Sequence, residues 1–172
     1  MGGVIIRSVT GGHLANVKGN RMSESENEQL ALTVIEALNA GDLSQWSHKL
    51  ADDYAGEYPG VPVLSKAQSF GYNQRFLVAF PDTHFEVHSV LAQGDQVFIH
   101  WTVSGTHTER LATVTGRTIP PTQRRATVSG VLISEVRDDK IVRERWYWDQ
   151  LSVLDQLGIM EHPGLFLTHE GF

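Results

Sequence analysis

Residues 84–104, HFEVHSVLAQGDQVFIHWTVS, decide the fold, because apolar and polar side chains alternate along both halves of this stretch. A period of two is typical of β-strands that bury one face. Gly94-Asp95 interrupts the alternation and indicates a turn, so the stretch predicts a β-hairpin. The apolar residues that we expect on its inner face are Phe85, Val87, Trp101 and Val103.

The length of the turn decides which side chains face inward. A three-residue loop over Gln93 to Asp95 pairs Val87 with Trp101, and it pairs His88 with His100. A two-residue turn would shift the pairing by one residue and move every side chain of one strand to the other face. The hydrophobic pattern therefore favours the three-residue loop.

The outer face of this hairpin is predicted to be an interface. In the three-residue register it carries Val90 and Phe98 within a patch rich in histidine. Exposed apolar residues grouped in this way favour a homodimer through the outer face of the sheet. His84, Glu86 and His88 also share one face, which is a weak pattern for a metal site. Contact with solvent or a subunit is the more common use of such a face, so we predict no metal.

Three helices are predicted before the periodicity changes at Pro81. Each begins with a capping pattern: Ser25-x-x-Glu28, Asp42-x-x-Gln45 and Ser65-x-x-Gln68. The first helix has apolar residues at i, i+3, i+4 and i+7: Ala31, Val34, Ile35 and Leu38. Gly41 is expected to end it, and a short strand is expected over 54–58.

Further strands are predicted after the hairpin. Residues 109–123 are expected to form a loop, followed by strands over about 124–136 and 140–148, with a turn at Asp138-Asp139. Asp149 is expected to cap a last helix. Helices followed by a mostly antiparallel sheet define the α+β class. A curved sheet wrapped around helices leaves a cone-shaped pocket, which is the default ligand site.

The composition excludes several classes of protein. The chain has 172 residues, 14 basic and 20 acidic side chains, and no Cys. The acidic balance argues against binding to nucleic acid or an anionic membrane, and no apolar run approaches the length of a membrane span. The absence of Cys excludes disulfides, thiolate metal sites and a Cys nucleophile. We expect an N-terminal extension over 1–21, one domain over 22–160 and a tail over 161–172.

Short motifs that follow one another along the chain carry a resemblance to a known family. They are Ala40-Gly41-Asp42, Asp53-Tyr54, Phe80-Pro81-Asp82, Gly94-Asp95-Gln96-Val97, Gly105-Thr106-His107-Thr108, Ile119-Pro120-Pro121-Thr122, Arg124-Arg125, Lys140-Ile141-Val142-Arg143-Glu144-Arg145, Tyr147-Trp148-Asp149-Gln150-Leu151 and Gln156-Leu157-Gly158. With them, residues 28–159 resemble the SnoaL-like polyketide and ester cyclases of the nuclear transport factor 2-like superfamily.

The resemblance implies both a fold and a function. The fold is a cone in which three N-terminal helices pack on a curved, mostly antiparallel sheet, with a short C-terminal helix. The function is ring closure or isomerisation of a hydrophobic, polyketide-type carbonyl compound by acid/base chemistry in the cone. The resemblance also implies a cytoplasmic homodimer or higher homo-oligomer that uses no cofactor and binds a small hydrophobic molecule. Relatives of this shape differ in function, and some hydroxylate or only bind.

One position departs from the pattern of the family. Leu132 stands where the cyclases carry the Asp that acts as general acid and base. A Leu side chain cannot transfer a proton, so this chain either uses another group or performs no such chemistry. The alternatives to an enzyme are a small-molecule-binding protein and a dimerisation module.

The catalytic candidates are His107, Asp149 and Tyr147. His107 matches the pocket His of the family, and its imidazole titrates near neutral pH. The alternative for His107 is a rim residue bonded to a loop carbonyl. Asp149 and Tyr147 lie two residues apart on one strand and could form an acid/base pair. The alternative for Asp149 is an ordinary helix cap.

Aromatic side chains are the predicted walls of the pocket. From the sheet and the helices these candidate substrate-binding residues are Trp101, Trp146, Trp148, Phe70, Phe76 and Tyr58, with Leu132 beside them. Core packing is the alternative role for all of them. Arg143 and Arg145 share one strand face and Glu144 lies on the other, a pattern that favours a solvated face with salt bridges.

Overall fold

A computed structural model of the chain describes residues 22–113 and 116–160, so the predicted extension over 1–21 and tail over 161–172 lie outside the described residues. The helices are α1 (Glu24–Ala40), α2 (Ser44–Lys49), α3 (Lys66–Ala79) and α4 (Gln150–Gln156). The strands are β1 (Leu50–Glu57), β2 (Leu64–Ser65), β3 (His84–Gln93), β4 (Gln96–Thr106), β5 (Leu111–Ala112), β6 (Thr118–Ile119), β7 (Arg125–Arg137) and β8 (Lys140–Trp148).

The predicted α+β class is confirmed. Strands pair in the order β2-β1-β8-β7-β4-β3, and every pair is antiparallel except β1 with β8. Helices α1 and α3 pack against this sheet, α1 on β3 and β4 and α3 on β1. The sheet therefore has an inner face under the helices and an outer face on the other side. In the described ranges, no helix combines the length and hydropathy that crossing a bilayer requires.

The N-cap of helix α1 is Ser23, two residues earlier than the predicted cap Ser25. The Ser23 hydroxyl accepts a hydrogen bond from the backbone N–H of Glu26, and the Glu26 carboxylate accepts one from the Ser23 N–H. The predicted Ser25–Glu28 box is therefore wrong, because the same spacing occurs twice in the local sequence. Glu28 instead accepts a hydrogen bond from the Ala92 N–H, 3.1 Å away, which ties α1 to β3.

The other two N-terminal helices follow the predicted signals more closely. The capping box of α3 is confirmed, because Ser65 and Gln68 exchange both hydrogen bonds. Asp42 accepts a hydrogen bond from the Ser44 N–H at 2.9 Å, but the N-cap of α2 is Leu43, so the predicted Asp42-x-x-Gln45 box is wrong. Strand β1 begins at Leu50 and is longer than the predicted strand over 54–58.

The β3–β4 hairpin has a tight turn and a bulge. Gln93 pairs with Gln96, so the turn has two residues and the predicted three-residue loop is wrong. The expected pairing of Val87 with Trp101 is nevertheless confirmed. Both hold because the register shifts at His88, where β3 contains one extra residue. A one-residue bulge reverses the change of face that the tight turn produces.

The bulge changes which residues of β3 face outward. Val90 pairs with Ile99, whose side chain is fully buried, so Val90 faces the core and the prediction that it faces outward is wrong. Leu91 takes the outer position opposite Phe98 and is 64% exposed. An apolar outer face thus exists, but a different β3 side chain contributes to it.

The predicted loop over 109–123 contains a small second sheet, so that prediction is wrong in part. Strands β5 and β6 pair antiparallel, with Leu111 opposite Ile119. Leu111 is buried beside Phe80 and Leu157 in a small apolar cluster. Two-residue strands are too short to show a period in the sequence, which is why the prediction missed them.

The side chain of Gln156 ties the last helix, α4, to β7. The Gln156 amide accepts a hydrogen bond from the Thr127 N–H and donates one to the Thr127 carbonyl, both at 2.9 Å. The pairing of β7 with β8 begins at Gly130, so Thr127 lies outside it. The N–H and carbonyl of Thr127 are therefore available to Gln156 on the side where β8 would otherwise pair. These bonds place α4 over the end of the inner face.

Candidate functional site

A partly open cavity of about 140 Å³ lies between α3 and the inner face of the sheet. Its walls are almost entirely apolar, and Val153 of α4 closes part of one end. The predicted wall residues that line it are Tyr58, Phe76, Trp101, Trp146 and Trp148. An apolar cavity of comparable volume accommodates a single aromatic ring. The cavity therefore suits a hydrophobic ligand or the ring of a larger one.

The indoles of the sheet form one continuous wall. The rings of Trp101 and Trp146 lie 5.8 Å apart, and Tyr58 stacks on Trp146 at 6.2 Å with an interplanar angle of 12°. Gly130 of β7 makes room for this wall, since a Cβ there would lie 2.5 Å from the Trp101 ring. Any side chain at residue 130 would displace the indole.

Two other predicted wall residues lie away from the cavity. Phe70 is half-buried and packs against the main core, and Leu132 is fully buried between Ile99 and Trp146 on the inner face. Neither belongs to the described cavity lining. The core-packing alternative fits the position of both.

His107 is fully buried, and the described lining of the cavity does not include it. Its ring stacks on Phe80 at 5.1 Å, and Phe80 does line the cavity. Burial lowers the pKa of His107, although the nearby Glu109 carbonyl acts in the opposite direction. His107 is therefore a neutral imidazole, one ring removed from the cavity.

Only one side of the His107 ring has hydrogen-bond partners with good geometry. The Thr122 backbone N–H donates a hydrogen bond to Nδ1 at 3.3 Å. The Thr122 hydroxyl lies 3.2 Å from Nδ1 and can either donate to it or accept from it, depending on the tautomer. Nε2 is buried without a well-formed hydrogen bond. Because Nδ1 accepts from the Thr122 N–H, the neutral ring carries its proton on Nε2.

The predicted pair of Tyr147 and Asp149 does not meet at the cavity. Tyr147 pairs with Val131 on the outer face, where it is 53% exposed. Asp149 accepts a hydrogen bond from the Ser152 N–H at 3.0 Å, which is the helix cap given as its alternative role. The fold therefore places both groups outside the described lining.

Tyr58 and Asn73 supply the main polar groups of the cavity wall. The Asn73 amide donates hydrogen bonds to the Tyr58 hydroxyl and to the Ser69 carbonyl, both at 3.0 Å. No Asp, Glu, His, Lys or Arg occurs among the lining residues that the structure describes. Asn73 and the role of the Tyr58 hydroxyl escaped the sequence prediction, because only the packing of α3 on β1 brings them together.

The sequence analysis also missed a buried carboxyl group, that of Glu144. Its side chain is fully buried on the inner face of β8, two residues before Trp146. It accepts hydrogen bonds from Tyr54 Oη at 2.8 Å and from Trp46 Nε1 at 3.1 Å. Burial raises the pKa of Glu144 to about 7. The signal was its spacing from Trp146 and Trp148, which shares their face.

The outer face next to Glu144 carries the expected ion pairs. Arg143 binds Glu57 at 2.7 Å, and Arg145 binds Glu135 at 2.5 Å. Further along this face, His88 and His100 lie 4.9 Å apart, ring centroid to ring centroid. Within residues 22–113 and 116–160, no three His, Cys, Asp or Glu side chains converge as a metal site requires.

Comparison with protein-family models identifies one family, and solved structures share the fold. The model of the SnoaL-like polyketide cyclases matches residues 28–157. AclR, a putative hydroxylase from Streptomyces galilaeus, is 28% identical with a TM-score of 0.68, over 81% of this chain and 89% of AclR. IdmH, a putative polyketide cyclase from Streptomyces antibioticus, is 27% identical with a TM-score of 0.63, over 77% of this chain and 98% of IdmH.

A third solved structure supports the fold alone. A putative SnoaL-like polyketide cyclase from Jannaschia sp. CCS1 has a TM-score of 0.69 at 15% identity, over 88% of this chain and all of that one. No curated protein matches the chain.

Proposed function

Because this chain belongs to the SnoaL-like polyketide cyclase family, we propose that it closes or isomerises a ring in a hydrophobic carbonyl compound. The observation that carries the proposal is the aromatic cavity with a hydroxyl and an amide in its wall. Aldol ring closure and double-bond isomerisation both proceed through an enolate. Such a reaction needs a group that moves a proton and a donor that stabilises the enolate oxygen. We propose that it proceeds without a cofactor.

The Tyr58 hydroxyl is the proposed binding point for the substrate carbonyl, and the Asn73 amide, which donates to Tyr58 and to the Ser69 carbonyl, holds that hydroxyl in place. The phenol offers an O–H donor to the oxygen on which negative charge develops. The surrounding Trp and Phe rings exclude water, and a hydrogen bond to a developing charge is stronger in such a medium. The apolar remainder of the substrate would lie against Trp101, Trp146 and Trp148, which line the same cavity.

His107 is the proposed proton-transfer group, since Leu132 supplies none. Its lowered pKa keeps the imidazole neutral near neutral pH. To accept the substrate proton at Nε2, the ring would take the tautomer in which Nδ1–H donates to the Thr122 hydroxyl, and it would give up the hydrogen bond from the Thr122 N–H. Nε2 would reach the substrate when the Phe80 ring turns aside, because Phe80 stacks on the imidazole and lines the cavity. Asp149 and Tyr147 have no part in this proposal.

The second candidate function is binding without catalysis. It is favoured by the absence of charged side chains from the described cavity lining. A binding protein needs only the apolar walls and a polar group that orients the ligand. The two functions differ in whether the bound compound leaves unchanged.

Incubation with a panel of aromatic β-keto esters, followed by mass spectrometry, tests the proposal. Ring closure with loss of water lowers the product mass, isomerisation keeps it, and hydroxylation of the kind named for AclR adds one oxygen. We expect His107→Ala and Tyr58→Phe each to reduce turnover by roughly 10²-fold, as loss of one preorganised donor or acceptor does. His48→Ala, an exposed residue of α2, is the matched control for His107→Ala.

The panel separates the candidate functions. Turnover that survives both Tyr58→Phe and His107→Ala would contradict the proposed roles of these residues. If no member of the panel is converted but one or more bind with micromolar affinity, the binding function replaces the enzymatic one. Tyr147→Phe distinguishes the two tyrosines. If it reduces turnover as much as Tyr58→Phe does, Tyr147 takes part in the reaction as the sequence predicted.

We also propose that the chain forms a homodimer through the outer face of the sheet. The support is the apolar patch around Leu91 and Phe98, which continues onto the outer side chains of β7 and β8. The cytoplasmic location implied by the sequence resemblance stays a prediction.

A further inference from the structure

A line of hydrogen-bonding groups leads from the buried core to the cavity wall. It starts at Glu144, whose carboxylate accepts from the Trp46 indole N–H and the Tyr54 hydroxyl. The Tyr54 hydroxyl and the Tyr58 ring lie side by side over Gly56, at 3.0 and 2.9 Å from the position that a Cβ of Gly56 would take, and each hydroxyl acts on the ionisation of the other. The line ends at Tyr58, which also accepts from the Asn73 amide and lines the cavity.

The direction of such a line depends on the charge at its inner end. A carboxylate only accepts hydrogen bonds, whereas a protonated carboxyl also donates one. When Glu144 is ionised, Tyr54 donates to it, as the 2.8 Å contact shows. The oxygen of Tyr54 then remains as an acceptor, and Tyr58 can donate to that oxygen. In this arrangement the Tyr58 proton points away from the cavity.

Protonation of Glu144 from solvent reverses the line without breaking any other bond. The carboxyl O–H then donates to Tyr54, and Tyr54 donates to the oxygen of Tyr58. That oxygen already accepts from Asn73, so both of its lone pairs are engaged. The Tyr58 proton is left to donate to the neighbouring Ser69 hydroxyl or, when a ligand is bound, to a ligand oxygen in the cavity. Each hydroxyl has rotated, and one proton has been taken up.

We propose that Glu144 is a positioning residue which, through Tyr54, decides whether Tyr58 can donate a hydrogen bond to a carbonyl group in the cavity. The inference rests on the proposed function, because it assumes that a carbonyl compound binds beside Tyr58. It adds two residues, Glu144 and Tyr54, that touch no substrate. It also makes ketone binding depend on pH.

The groups that act on the ionisation of Glu144 are the tyrosines of the proposed line and two indoles. In the described part of the chain, the titratable groups that act on it are Tyr54 and Tyr58 of β1, while Trp46 of α2 and Trp146 of β8 contribute indole N–H groups. Burial raises the pKa of Glu144 to about 7, which places the change of state near neutral pH. The neighbouring arginines lie on the outer face, where they pair with Glu57 and Glu135.

The first experiment follows the tyrosines directly and needs no ligand. The protein is labelled with ¹³C at tyrosine Cζ, and the four signals are recorded from about pH 5 to pH 9. We expect the Tyr58 signal to change with a midpoint near the pKa of Glu144, and Glu144→Gln to abolish that change. Tyr54→Phe should reduce the change at least by about half, because only the through-space effect of the charge then remains.

Matched variants keep this experiment decisive. Glu86→Gln removes a carboxylate of the outer face and should leave the Tyr58 titration as in the wild type. Circular dichroism establishes that each variant is folded, and Tyr54→Phe provides a second measurement if Glu144→Gln does not fold. A Tyr58 signal that does not respond near neutral pH, or that responds equally in Tyr54→Phe, would overturn the proposal.

The second experiment measures binding of a matched pair of small ligands by calorimetry. Acetophenone carries a carbonyl acceptor, and ethylbenzene has a similar shape without one. We expect acetophenone to bind two- to tenfold more tightly at about pH 5.5 than at about pH 8.5, the worth of one hydrogen bond. Ethylbenzene should show no such dependence, and Glu144→Gln should remove it for acetophenone.

The two experiments fail in different ways. If neither ligand binds at either pH, the proposed carbonyl site is wrong, and the ¹³C titration still tests the link from Glu144 to Tyr58. If acetophenone binds with the same affinity at both pH values, the switch is wrong while the carbonyl site stands. A pH dependence that persists in Glu144→Gln would assign the effect to another group and would also overturn the proposal.

Discussion

Glu144 is a carboxyl group without solvent contact, and its neutral form is the one that the folded chain favours. Its pKa is about 7 in the fold, against 4.5 for the free side chain. The folded state therefore binds this proton more tightly than the unfolded state. Such a group favours folding most below its unfolded pKa, and the contribution is lost as the pH rises through the folded pKa.

Replacing Glu144 by Gln should change how stability depends on pH. Relative to the variant, the wild type should lose roughly 3 kcal/mol of unfolding free energy between about pH 4.5 and pH 7, from a shift of this size. Urea denaturation of both proteins at several pH values measures the difference. Hydrogen-bond partners lower the pKa values of Asp53 and Asp82, so these two groups make stability fall as the pH is lowered. They do so equally in both proteins, and their effect cancels in the difference. Parallel curves for the two proteins would contradict the prediction.

Single residues were predictable where strand geometry alone fixes them. Alternation placed Trp101, Trp146 and Trp148 on one face, and the structure places all three at the cavity. The same alternation also puts Glu144 on the face of Trp146 and Trp148, but this was missed, because the arginines on either side of Glu144 favoured a solvated strand. Tyr58 and Asn73 meet only because α3 packs on β1, and no local pattern in the sequence encodes that contact.

At the scale of elements, Gln156 helps to hold α4 in position, beside the apolar packing of Val153 and Leu157. Gln156→Ala removes both hydrogen bonds to Thr127 and leaves its N–H and carbonyl without these partners. We expect a loss of about 1–2 kcal/mol and faster hydrogen exchange at the Thr127 amide. Leu151→Ala is the control, because Leu151 lies on the same helix and is 63% exposed. Unchanged exchange at Thr127 would mean that other contacts hold α4.

The bounds of helices and strands agree with the sequence prediction where the local capping or turn signal occurs only once. The α3 box and strand β8 agree with expectation, because Ser65–Gln68 is isolated and a tight turn fixes the start of β8. The start of α1 was missed because two overlapping boxes compete, and tertiary contact of Glu28 with β3 decides between them. The hairpin turn was missed because the bulge compensates for it.

At the scale of the whole molecule, the outer face of the sheet predicts that two chains associate. Its apolar side chains form neighbouring rows across β3, β4, β7 and β8: Leu91, Phe98, Val131, Ile133 and Tyr147. Two of them, Leu91 and Tyr147, are largely exposed in the single chain. Removal of such a patch from water favours association.

Leu91→Glu should convert the proposed dimer to a monomer, since it places a charge within the apolar patch, at its most exposed side chain. Sedimentation velocity at micromolar concentration measures the mass of the wild type and the variant. Val63→Glu is the matched control, because Val63 is similarly exposed but lies outside the outer face. A monomeric wild type, or a dimer that survives Leu91→Glu, would contradict the proposed interface.

The extra residue at His88 compensates for the short turn, just as an inserted base restores the reading frame after a deletion. The short turn at Gly94-Asp95 puts β3 out of phase with β4, and the bulge restores the phase six residues earlier in the chain. A chain that lacked His88 and had one more residue in the turn would bury the same side chains. Two opposite length changes can therefore be exchanged without altering the core. Homologues aligned through this hairpin should accordingly show paired gaps, a deletion in one place matched by an insertion in the other.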